Sequence, residues 1–411
     1  MIIAGMIGLA IIALASVRPD IAIIGWLTVS LLVPHWTPIP VGLVFQPSSA
    51  LAIPVVLGVL IGRIGKPAQF KLNYIDYSVA AAALIVLVQW YVGDLPFVFL
   101  KDLIFLWMLA YILGRFAVEN TRTAIVVLLS IIAAWGLLEF AFGWHVFENW
   151  YPSANHKFNE IQERAGVARS EASIGHAIAY GAVLAMGIPF AQRSGRKAIW
   201  IQLLLCAGII VSLSRGPMLT MVLTLVLTVW VLAESKVRVR YTALALAGSL
   251  GVYYVLTALY SGAYSDEVRG SGDQRVNQLD AVGNAVHWMS TAITGNVNGQ
   301  AVAGNVGIID STPLRLAVNF GIIAAVLFIV PILVAAIRSL NRKAGPASVA
   351  LAGQIPVLVV TSLILQWQVL AFFMMGMVAT EISARRVSPP METTESETTT
   401  PVRKSYANRA G

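Results

Sequence analysis

Residues 198–233 read AIWIQLLLCAGIIVSLSRGPMLTMVLTLVLTVWVLA, and this stretch decides the fold class. Two apolar runs, 198–212 and 217–233, flank a short turn-forming sequence, Ser214-Arg215-Gly216-Pro217. A helix needs about 20 apolar residues to cross a bilayer, so each run is a short candidate span. Proline suits the first turn of a helix, which favours a tight turn between two helices. The stretch therefore predicts two membrane helices joined by a turn that contains an arginine.

The composition of the whole chain supports the same class. Of its 411 residues, 58% are apolar and 12% are charged, and the mean hydropathy is +0.77. Soluble domains carry about 25% charged residues, so these values exclude a soluble globular enzyme, a disordered chain and a disulfide-stapled secreted domain. The single cysteine, Cys206, is expected to be a small buried hydrophobe. The sequence has no Cys and His cluster with metal-ligand spacing, so no metal is expected.

Apolar runs recur along nearly the whole chain. The first two are short and the last two are compatible with one broken helix, so we expect 11 to 13 spans, about 12. The first run resembles a signal peptide, but a second run follows it directly, which favours a helical hairpin. The prediction is an all-α integral membrane protein with a polytopic domain over 1–382. The runs lie at 2–17, 21–34, 48–62, 78–92, 99–114, 123–141, 172–192, 198–212, 217–233, 241–260, 314–337, 347–365 and 368–382.

Basic residues alternate between the two sides of this topology. Lys and Arg collect on the cytoplasmic side of membrane proteins, and one consistent topology puts 20 of the 28 there. The net charge of +8 therefore does not require a nucleic acid partner. The same topology makes the tail 383–411 cytoplasmic, and its Pro, Thr, Glu and Ser content predicts disorder. The cytoplasmic set is Arg18, Arg63, Lys66, Lys71, Arg115, Arg122, Arg193, Arg196, Lys197, Lys236, Arg238, Arg240, Arg338, Arg342, Lys343, Arg385, Arg386, Arg403, Lys404 and Arg409.

The other eight cations lie in or beside segments predicted to face outward. Short loops tolerate a few cations, but cations on the outer side oppose the usual cytoplasmic preference of Lys and Arg. Their presence there favours a site that needs positive charge. Lys101 is adjacent to Asp102 at the start of a span. Adjacent helical residues do not face each other, so partners on other helices are expected. The eight are Lys101, Lys157, Arg164, Arg169, Arg215, Arg269, Arg275 and Arg315.

The two larger outer loops, 142–171 and 261–313, have distinctive patterns, and we expect short amphipathic helices in them. The first begins with aromatic residues that suit anchoring at the lipid interface or stacking on a sugar, with anchoring favoured. In the second, apolar residues at helical spacing between 276 and 289 predict an amphipathic helix on the membrane surface. The Gly- and Asn-rich stretch after it has no nucleotide-binding spacing. The aromatic residues are Trp144, Phe147, Trp150 and Tyr151.

Arginine is the residue type with the clearest chemical meaning here. Arg215, beside Ser214, would lie near the outer leaflet at a helix N-terminus, which suits a phosphate or diphosphate because guanidinium binds it with two hydrogen bonds. The alternative is an arginine that only extends to the surface. Arg164 and Arg169 precede the run 172–192, and Arg275 opens the amphipathic segment. Two or three of these arginines together with Arg215 would form a polyanion clamp.

Asp310 precedes a helix expected to begin near Pro313. It is either the N-cap of that helix or a general base that takes a proton from an acceptor hydroxyl. Arg315, one turn into the helix, is expected to pair with Asp310 or to bind phosphate. Glu171 and His176 are weaker candidates for the general base. His176 is expected inside a helix as a structural histidine.

Four features, in this order, resemble the O-antigen ligase and polymerase superfamily. They are an Arg-containing loop that leads into a helix at 164–190, the Ser-Arg-Gly turn at 214–216, a large outer loop that opens with DQRVNQLD at 273–280, and IIDSTPLRLAVNFGIIAAVLF at 308–328. The last segment is similar to one in which the family has His or Asp followed by Asn. The resemblance covers residues 120–340.

The resemblance implies a GT-C-like membrane glycosyltransferase that moves a glycan from undecaprenyl diphosphate to a hydroxyl on lipid A-core, on another lipid-linked glycan or on a protein. It implies no metal, nucleotide or other cofactor. It also implies that Arg215 and Arg275, with Arg164 or Arg169, bind the diphosphate. Asp310 stands where the ligases have a histidine, which favours a polysaccharide polymerase over a lipid A-core ligase.

The resemblance further implies a bacterial plasma membrane location with the active site facing outside. The expected partners are a lipid-linked glycan donor, a glycan or lipid acceptor, membrane lipids and other polysaccharide export proteins. The competing class is a transporter or flippase, which has broken helices near the midplane and charges inside many spans. Here the unusual charges lie at helix ends and in loops, which favours glycan transfer. A non-catalytic assembly protein is the remaining alternative.

Overall fold

The computed structural model describes residues 2–37, 39–41, 43–65, 71–92, 95–148, 161–164, 166–233, 235–260, 273, 276–278, 280 and 309–387. Within these residues the chain is mostly helical, and a helix lies on each predicted apolar run. Two short antiparallel hairpins connect helices, and both have two strands. The predicted all-α class is therefore confirmed for the described residues.

The helices follow one another with short connections. The helix Phe97–Asp102 continues through a π-helical segment, Leu103–Met108, into the helix Leu109–Arg115. The strands are Ile39–Val41 (β1), Leu43–Phe45 (β2), Glu163–Arg164 (β3) and Val167–Ala168 (β4). The helices are Ile2–Val17 (α1), Pro19–Leu32 (α2), Pro47–Ile61 (α3), Tyr74–Val92 (α4), Phe97–Asp102 (α5), Leu109–Arg115 (α6), Glu119–Phe142 (α7), Ala177–Ala191 (α8), Ala198–Val211 (α9), Arg215–Leu232 (α10), Ser235–Tyr260 (α11), Thr312–Phe320 (α12), Ile322–Leu340 (α13), Pro346–Gly353 (α14), Ile355–Val360 (α15) and Leu365–Val387 (α16). A 3₁₀ turn, Gln192–Lys197, links α8 to α9.

Six helices are long and apolar enough to cross a membrane, which gives the chain the character of an integral membrane protein. Six further apolar helices have 10–17 residues and are shorter than the usual span of about 20. The total of about 12 spans stays a prediction. The six long helices are Tyr74–Val92, Phe97–Arg115, Glu119–Phe142, Arg215–Leu232, Ile322–Leu340 and Leu365–Ala384.

Three predicted runs are broken or shortened in the structure. The run 314–337 is divided into α12 and α13 at Gly321, whose φ of +86° is a backbone conformation that favours glycine. The run 347–365 ends at Val360, and residues 361–364 form a non-helical connection to α16. The run 172–192 becomes helical only at Ala177, because Ala172 and Gly175 before it have positive φ.

Some predictions fall outside the described residues. Arg275 and most of the predicted amphipathic helix lie outside them, although 273, 276–278 and 280 are helical. The tail beyond 387 also lies outside them, while α16 extends past the predicted boundary at 382. Cys206 is buried in α9, as predicted.

Helix α16 occupies the centre of the bundle. Of its apolar, potentially membrane-crossing stretch, 83% is buried, whereas the buried share is 39–44% in the other five long helices. It packs tightly on α6 because both helices carry glycine at the contact. A Cβ added at Gly114 would lie 2.0 Å from Phe373 O, and one added at Gly376 would lie 2.1 Å from Tyr111 O. Small residues allow such close approach of helices in membranes.

Several of the predicted basic connections meet at one end of the bundle, here called the basic end. Arg115 Nε lies 3.0 Å from Asp76 Oδ1, and Tyr111 Oη donates to the same oxygen at 2.6 Å. Glu381 Oε2 accepts from Gly345 N at 3.2 Å, three residues after Arg342. These contacts join α4, α6, α16 and the connection between α13 and α14. The helix Phe97–Arg115 leads from this end to the candidate site.

Candidate active site

The turn between α9 and α10 is held by an arginine from another segment. Helix α10 begins at Arg215, with Ser214 as its N-cap residue. Arg169 donates from Nε to Ser212 O at 3.1 Å and from Nη2 to Ser214 Oγ at 2.6 Å. Ser214 Oγ in turn donates to Ser212 O at 3.0 Å, and it does not cap α10. The predicted tight turn is confirmed, and Arg169 is built into it.

Glu139, near the end of α7, fixes the loop that carries Arg169. Its Oε2 accepts hydrogen bonds from the backbone N–H groups of Glu171 at 2.8 Å and Ala172 at 2.7 Å. Its Oε1 contacts Nδ1 of His145, which is buried as well. A buried carboxylate is costly unless it is hydrogen-bonded or paired, so these contacts favour one position of the loop.

The segment before α12 is held by the non-helical connection 361–364. Thr312 Oγ1 donates to Thr361 O at 2.7 Å and accepts from Leu363 N at 3.0 Å. Ser362 Oγ donates to Ile309 O, one residue before Asp310. The backbone of the break between α15 and α16 is therefore hydrogen-bonded by a polar side chain of another segment.

Asp310 is not the N-cap of α12, and the prediction of a cap is wrong. The N-cap residue is Ser311, because Thr312 and Pro313 already belong to the first turn. Asp310 N donates to Oε1 of Gln278, a residue of the second predicted outer loop. Asp310 also lines a cavity.

This cavity has a volume of about 430 Å³ and lies where these segments meet. Three of the predicted site residues line it, namely His176, Asp310 and Arg315. The connection 361–364 forms another part of its wall. A volume of this size is within the range of small-molecule sites, about 300–1,000 Å³. The cavity is also lined by His35, Asp102 and Gln368.

Arg315 lines this cavity together with two acidic residues, Asp102 and Asp310. Burial lowers the pKa of the Arg315 guanidinium, and the charges of Asp102 and Asp310 oppose this shift. Lys101 Nζ lies 3.5 Å from Asp102 Oδ1. The prediction that these adjacent residues do not meet is therefore wrong; they lie where α5 passes into the π-helical segment at Leu103. The expected partner on another helix is also present, since Arg315 belongs to α12.

His176 is the N-cap of α8, not a residue inside a helix as predicted. Its Nδ1 accepts from Ile178 N at 3.2 Å. Burial lowers the pKa of His176 to about 4, and the charge of Arg169 contributes in the same direction. The imidazole is therefore neutral near pH 7, and this hydrogen bond assigns its proton to Nε2. His176 is suited to donate a hydrogen bond to an oxygen in the cavity and unsuited to take a proton.

Glu171 lies in the same loop and packs against α7 behind the cavity wall. It is fully buried, and its Oε1 accepts from Gln162 N at 2.9 Å. Burial raises the pKa of Glu171 to about 7; the Gln162 hydrogen bond, His145 and Arg169 oppose this rise, and Glu139 adds to it. A carboxyl group with a pKa near neutrality can hold or release a proton at working pH.

The N-terminus of α10 adjoins the cavity through α15. A Cβ added at Gly216 would lie 3.3 Å from Val357 and 3.4 Å from Val360, and Val360 lines the cavity. Arg215, the residue before Gly216, is half-buried. Arg164 lies in β3, and its side chain is outside the described part of the chain, as is Arg275 entirely.

Three residues of this region were missed by sequence reasoning. His35 follows α2, and burial lowers its pKa to about 4, with a smaller effect of Lys101. Gln368 of α16 accepts from Trp107 Nε1 at 3.1 Å. Glu139 carried the clearest signal, because it is a single carboxylate within the apolar stretch GLLEFAF, and intramembrane acidic residues are rare without a partner.

The aromatic residues of the first outer loop do not act as one group. Phe147 is buried and packs on Trp135 and Trp36, with ring centroids 5.4 Å and 6.2 Å apart. It is therefore in contact with neither lipid nor a sugar. Trp144 is exposed, as expected of an interfacial anchor. Trp150 and Tyr151 lie outside the described residues.

Among the described residues, no group of three or more His, Cys, Asp and Glu side chains is arranged to hold a metal ion. Comparisons with protein-family models, with curated proteins and with solved structures find no match to this chain.

Proposed function

We propose that this protein is a membrane glycosyltransferase that moves a glycan from a polyprenyl diphosphate donor to an acceptor hydroxyl. The observation that carries the proposal is the meeting of Asp310, Arg315 and His176 at one cavity, beside the N-terminus of α10. The resemblance to the O-antigen ligase and polymerase superfamily supports two of these four elements, Asp310 and the N-terminus of α10 with Arg215.

The proposed reaction is a single displacement at the anomeric carbon of the donor. The acceptor oxygen forms a bond to this carbon, and its proton passes to the carboxylate of Asp310. The bond between the anomeric carbon and the diphosphate oxygen breaks, and the diphosphate leaves with both electrons. Such a displacement inverts the anomeric configuration, as in other single displacements at this carbon.

The cationic and hydrogen-bonding groups would stabilise the leaving diphosphate. Arg315 offers a guanidinium inside the cavity, and neutral His176 offers Nε2–H. Arg215 and Arg275 complete a clamp from α10 and the second outer loop. Groups that bind the diphosphate more tightly as its charge develops lower the barrier. Arg169 supports Arg215 by holding the turn and is not assigned a contact with the donor.

The finer assignments belong to the same proposal. We propose about 12 spans in a GT-C-like arrangement, a plasma membrane location, an outward-facing cavity and a cytoplasmic tail. Asp310 favours a polymerase, which extends one lipid-linked glycan with another, over a lipid A-core ligase. Other polysaccharide export proteins are proposed partners.

The test uses the full chain in lipid nanodiscs with a labelled polyprenyl-diphosphate glycan and an excess of chelator. We expect release of polyprenyl diphosphate together with a longer glycan. Asp310→Asn should abolish both, while Ser311→Ala, one residue away and without a side-chain cap bond, should retain them. Donor that stays intact with both lipid-linked and lipid A-core acceptors would overturn the proposal.

A transporter is the second candidate, and a specific observation favours it. The helical chain is broken beside the cavity at 361–364, and broken helices are a feature of transporter sites. Sealed proteoliposomes distinguish the two functions. Movement of labelled lipid-linked glycan across the bilayer without release of diphosphate would support transport, and release of diphosphate at one face would support glycan transfer.

A further inference from the structure

A second cavity, of about 310 Å³, lies between α10 and α11 at the basic end. We call it the α10–α11 hollow. Its apolar lining includes Val226 and Val229 of α10 and Leu246 of α11. Trp230, Arg238 and Arg342 line it as well. The hollow shares no lining residue with the candidate active site.

The hollow carries two guanidinium groups. Arg342 lies over the ring of Trp230, 3.7 Å from its centroid, and Trp230 Nε1 donates to Leu340 O at 3.3 Å. Arg238 Nη2 donates to Ala233 O at 3.4 Å. Within the described part of the chain, no carboxylate lines the hollow and no ion pair includes either arginine. Among the described residues, no carboxylate therefore neutralises the positive charges of Arg238 and Arg342.

The apolar lining is open to the surroundings of the bundle. Val226 and Trp230 are each 47% exposed and Leu246 is 61% exposed. Arg238 and Leu246 belong to the same helix, eight residues or about 12 Å apart along its axis. The hollow therefore presents a cationic end and an apolar end at a separation that suits a phosphate head group with an attached acyl chain.

We infer that the α10–α11 hollow binds an anionic glycerophospholipid of the bilayer. Its phosphate lies between the guanidinium groups of Arg238 and Arg342, and one acyl chain lies along Val226, Val229 and Leu246. Trp230 is at the level of the head group, where tryptophan is enriched in membrane proteins. An anionic lipid is selected over a zwitterionic one because the latter brings a cationic amine close to two arginines. The inference does not depend on the proposed function.

The test is native mass spectrometry of the detergent-purified full chain with added phosphatidylglycerol or phosphatidylcholine. We expect phosphatidylglycerol to bind at least tenfold more tightly. Arg238→Gln and Arg342→Gln should each weaken it about fivefold, the equivalent of the roughly 1 kcal/mol gained per basic residue at an anionic membrane surface. The matched control is Arg122→Gln, which removes an arginine whose exposed partner is Glu119 at 3.0 Å.

A variant that fills the α10–α11 hollow distinguishes a lipid bound inside it from a lipid that is only attracted to the charged protein surface. Leu246→Trp keeps both arginines, occupies the hollow and should also weaken phosphatidylglycerol binding. Unchanged binding in Leu246→Trp, or an equal loss in Arg122→Gln, would overturn the inference. Displacement of phosphatidylglycerol by undecaprenyl phosphate at equal concentration would overturn the choice of occupant. If Arg342→Gln does not fold after losing its contact with Trp230, Arg238→Gln and Leu246→Trp decide the result.

Discussion

Arg169 Nη2 donates a hydrogen bond to Ser214 Oγ at 2.6 Å, joining two segments that are 45 residues apart in the chain. Ser214 is the residue before Arg215, so Arg169 determines where the first turn of α10 begins. One arginine of the sequence-predicted clamp thus serves as a support for another. The turn itself cannot supply this support, because Ser214 does not cap the helix and Leu213 has a φ of +48°.

This support predicts that Arg169→Lys lowers stability. Lysine has a single ammonium group and does not reach both acceptors with the fixed geometry of a guanidinium. A hydrogen bond from a charged group contributes about 1.5–3 kcal/mol, so we expect a loss of about 1–3 kcal/mol in the free energy of unfolding in detergent. Arg122→Lys, at an arginine whose ion-pair partner Glu119 is exposed, should change it by less than about 1 kcal/mol. Equal stability of Arg169→Lys and the wild type would contradict the supporting role.

Glu171 predicts a dependence of stability on pH. Its folded pKa of about 7 is raised above the ordinary 4.5, so its contribution is fully present below pH 4.5 and is lost as the pH rises through about 7. The free energy of unfolding should fall between about pH 5 and pH 8, by on the order of 3 kcal/mol. Glu171→Gln is neutral at every pH and should flatten this decline. Glu148→Gln makes the same change at an exposed position and should leave the decline in place.

The diphosphate clamp predicts that Arg215→Lys and Arg275→Lys both lose activity. A lysine keeps the charge but loses the two-pronged contact, and a preorganised donor to a developing charge contributes about 2–4 kcal/mol. We expect kcat/KM for diphosphate release to fall by a factor between about 30 and 1,000 in each variant. Arg122→Lys is the control for a conservative change at the protein surface. Full activity in both variants would remove the clamp from the mechanism.

The alternation of basic connections predicts the orientation of the chain. Cysteines introduced at Lys236 and in the tail should be protected from an impermeant thiol reagent in intact cells, whereas one introduced at Ser271 should react. The native Cys206 is buried and gives little background. A labelled tail in intact cells would reverse the orientation and turn the candidate cavity towards the cytoplasm.

The helices could be predicted from sequence because each depends on a local property, the length of an apolar run. The breaks between helices could not be predicted in this way. Gly321 lies in NFGII, where its neighbours are apolar on both sides, so the apolar pattern does not mark the positive φ at which α12 ends. Gln278 and Asp310 likewise meet through a hydrogen bond from the Asp310 backbone N–H to the Gln278 side chain, which no spacing in the sequence indicates.

The candidate site could be predicted for residues with a distinctive sequence context and not for the others. Arg315 and Asp310 stand close together before an apolar run, and His176 follows a glycine at the edge of another. His35 and Asp102 come from the first quarter of the chain, where nothing marks them as neighbours of Arg315. The cap assigned to Asp310 was wrong by one residue, because Ser311 and Asp310 are both residue types that cap helices and only backbone geometry separates them.

Asp310 is the residue whose substitution best separates the proposed reaction from a structural role. Since Ser311 is the N-cap, Asp310→Asn should leave the protein level and the unfolding free energy unchanged. Asparagine cannot accept the acceptor proton, so the rate of glycan transfer should fall about 10²–10⁴-fold, the usual share of general-base catalysis. Asp310→His restores a basic group and should recover part of the activity at a pH above the histidine pKa. Wild-type turnover in Asp310→Asn would exclude Asp310 as the base, and Glu171, with its pKa near 7, would be the next residue to test by the same pair of substitutions.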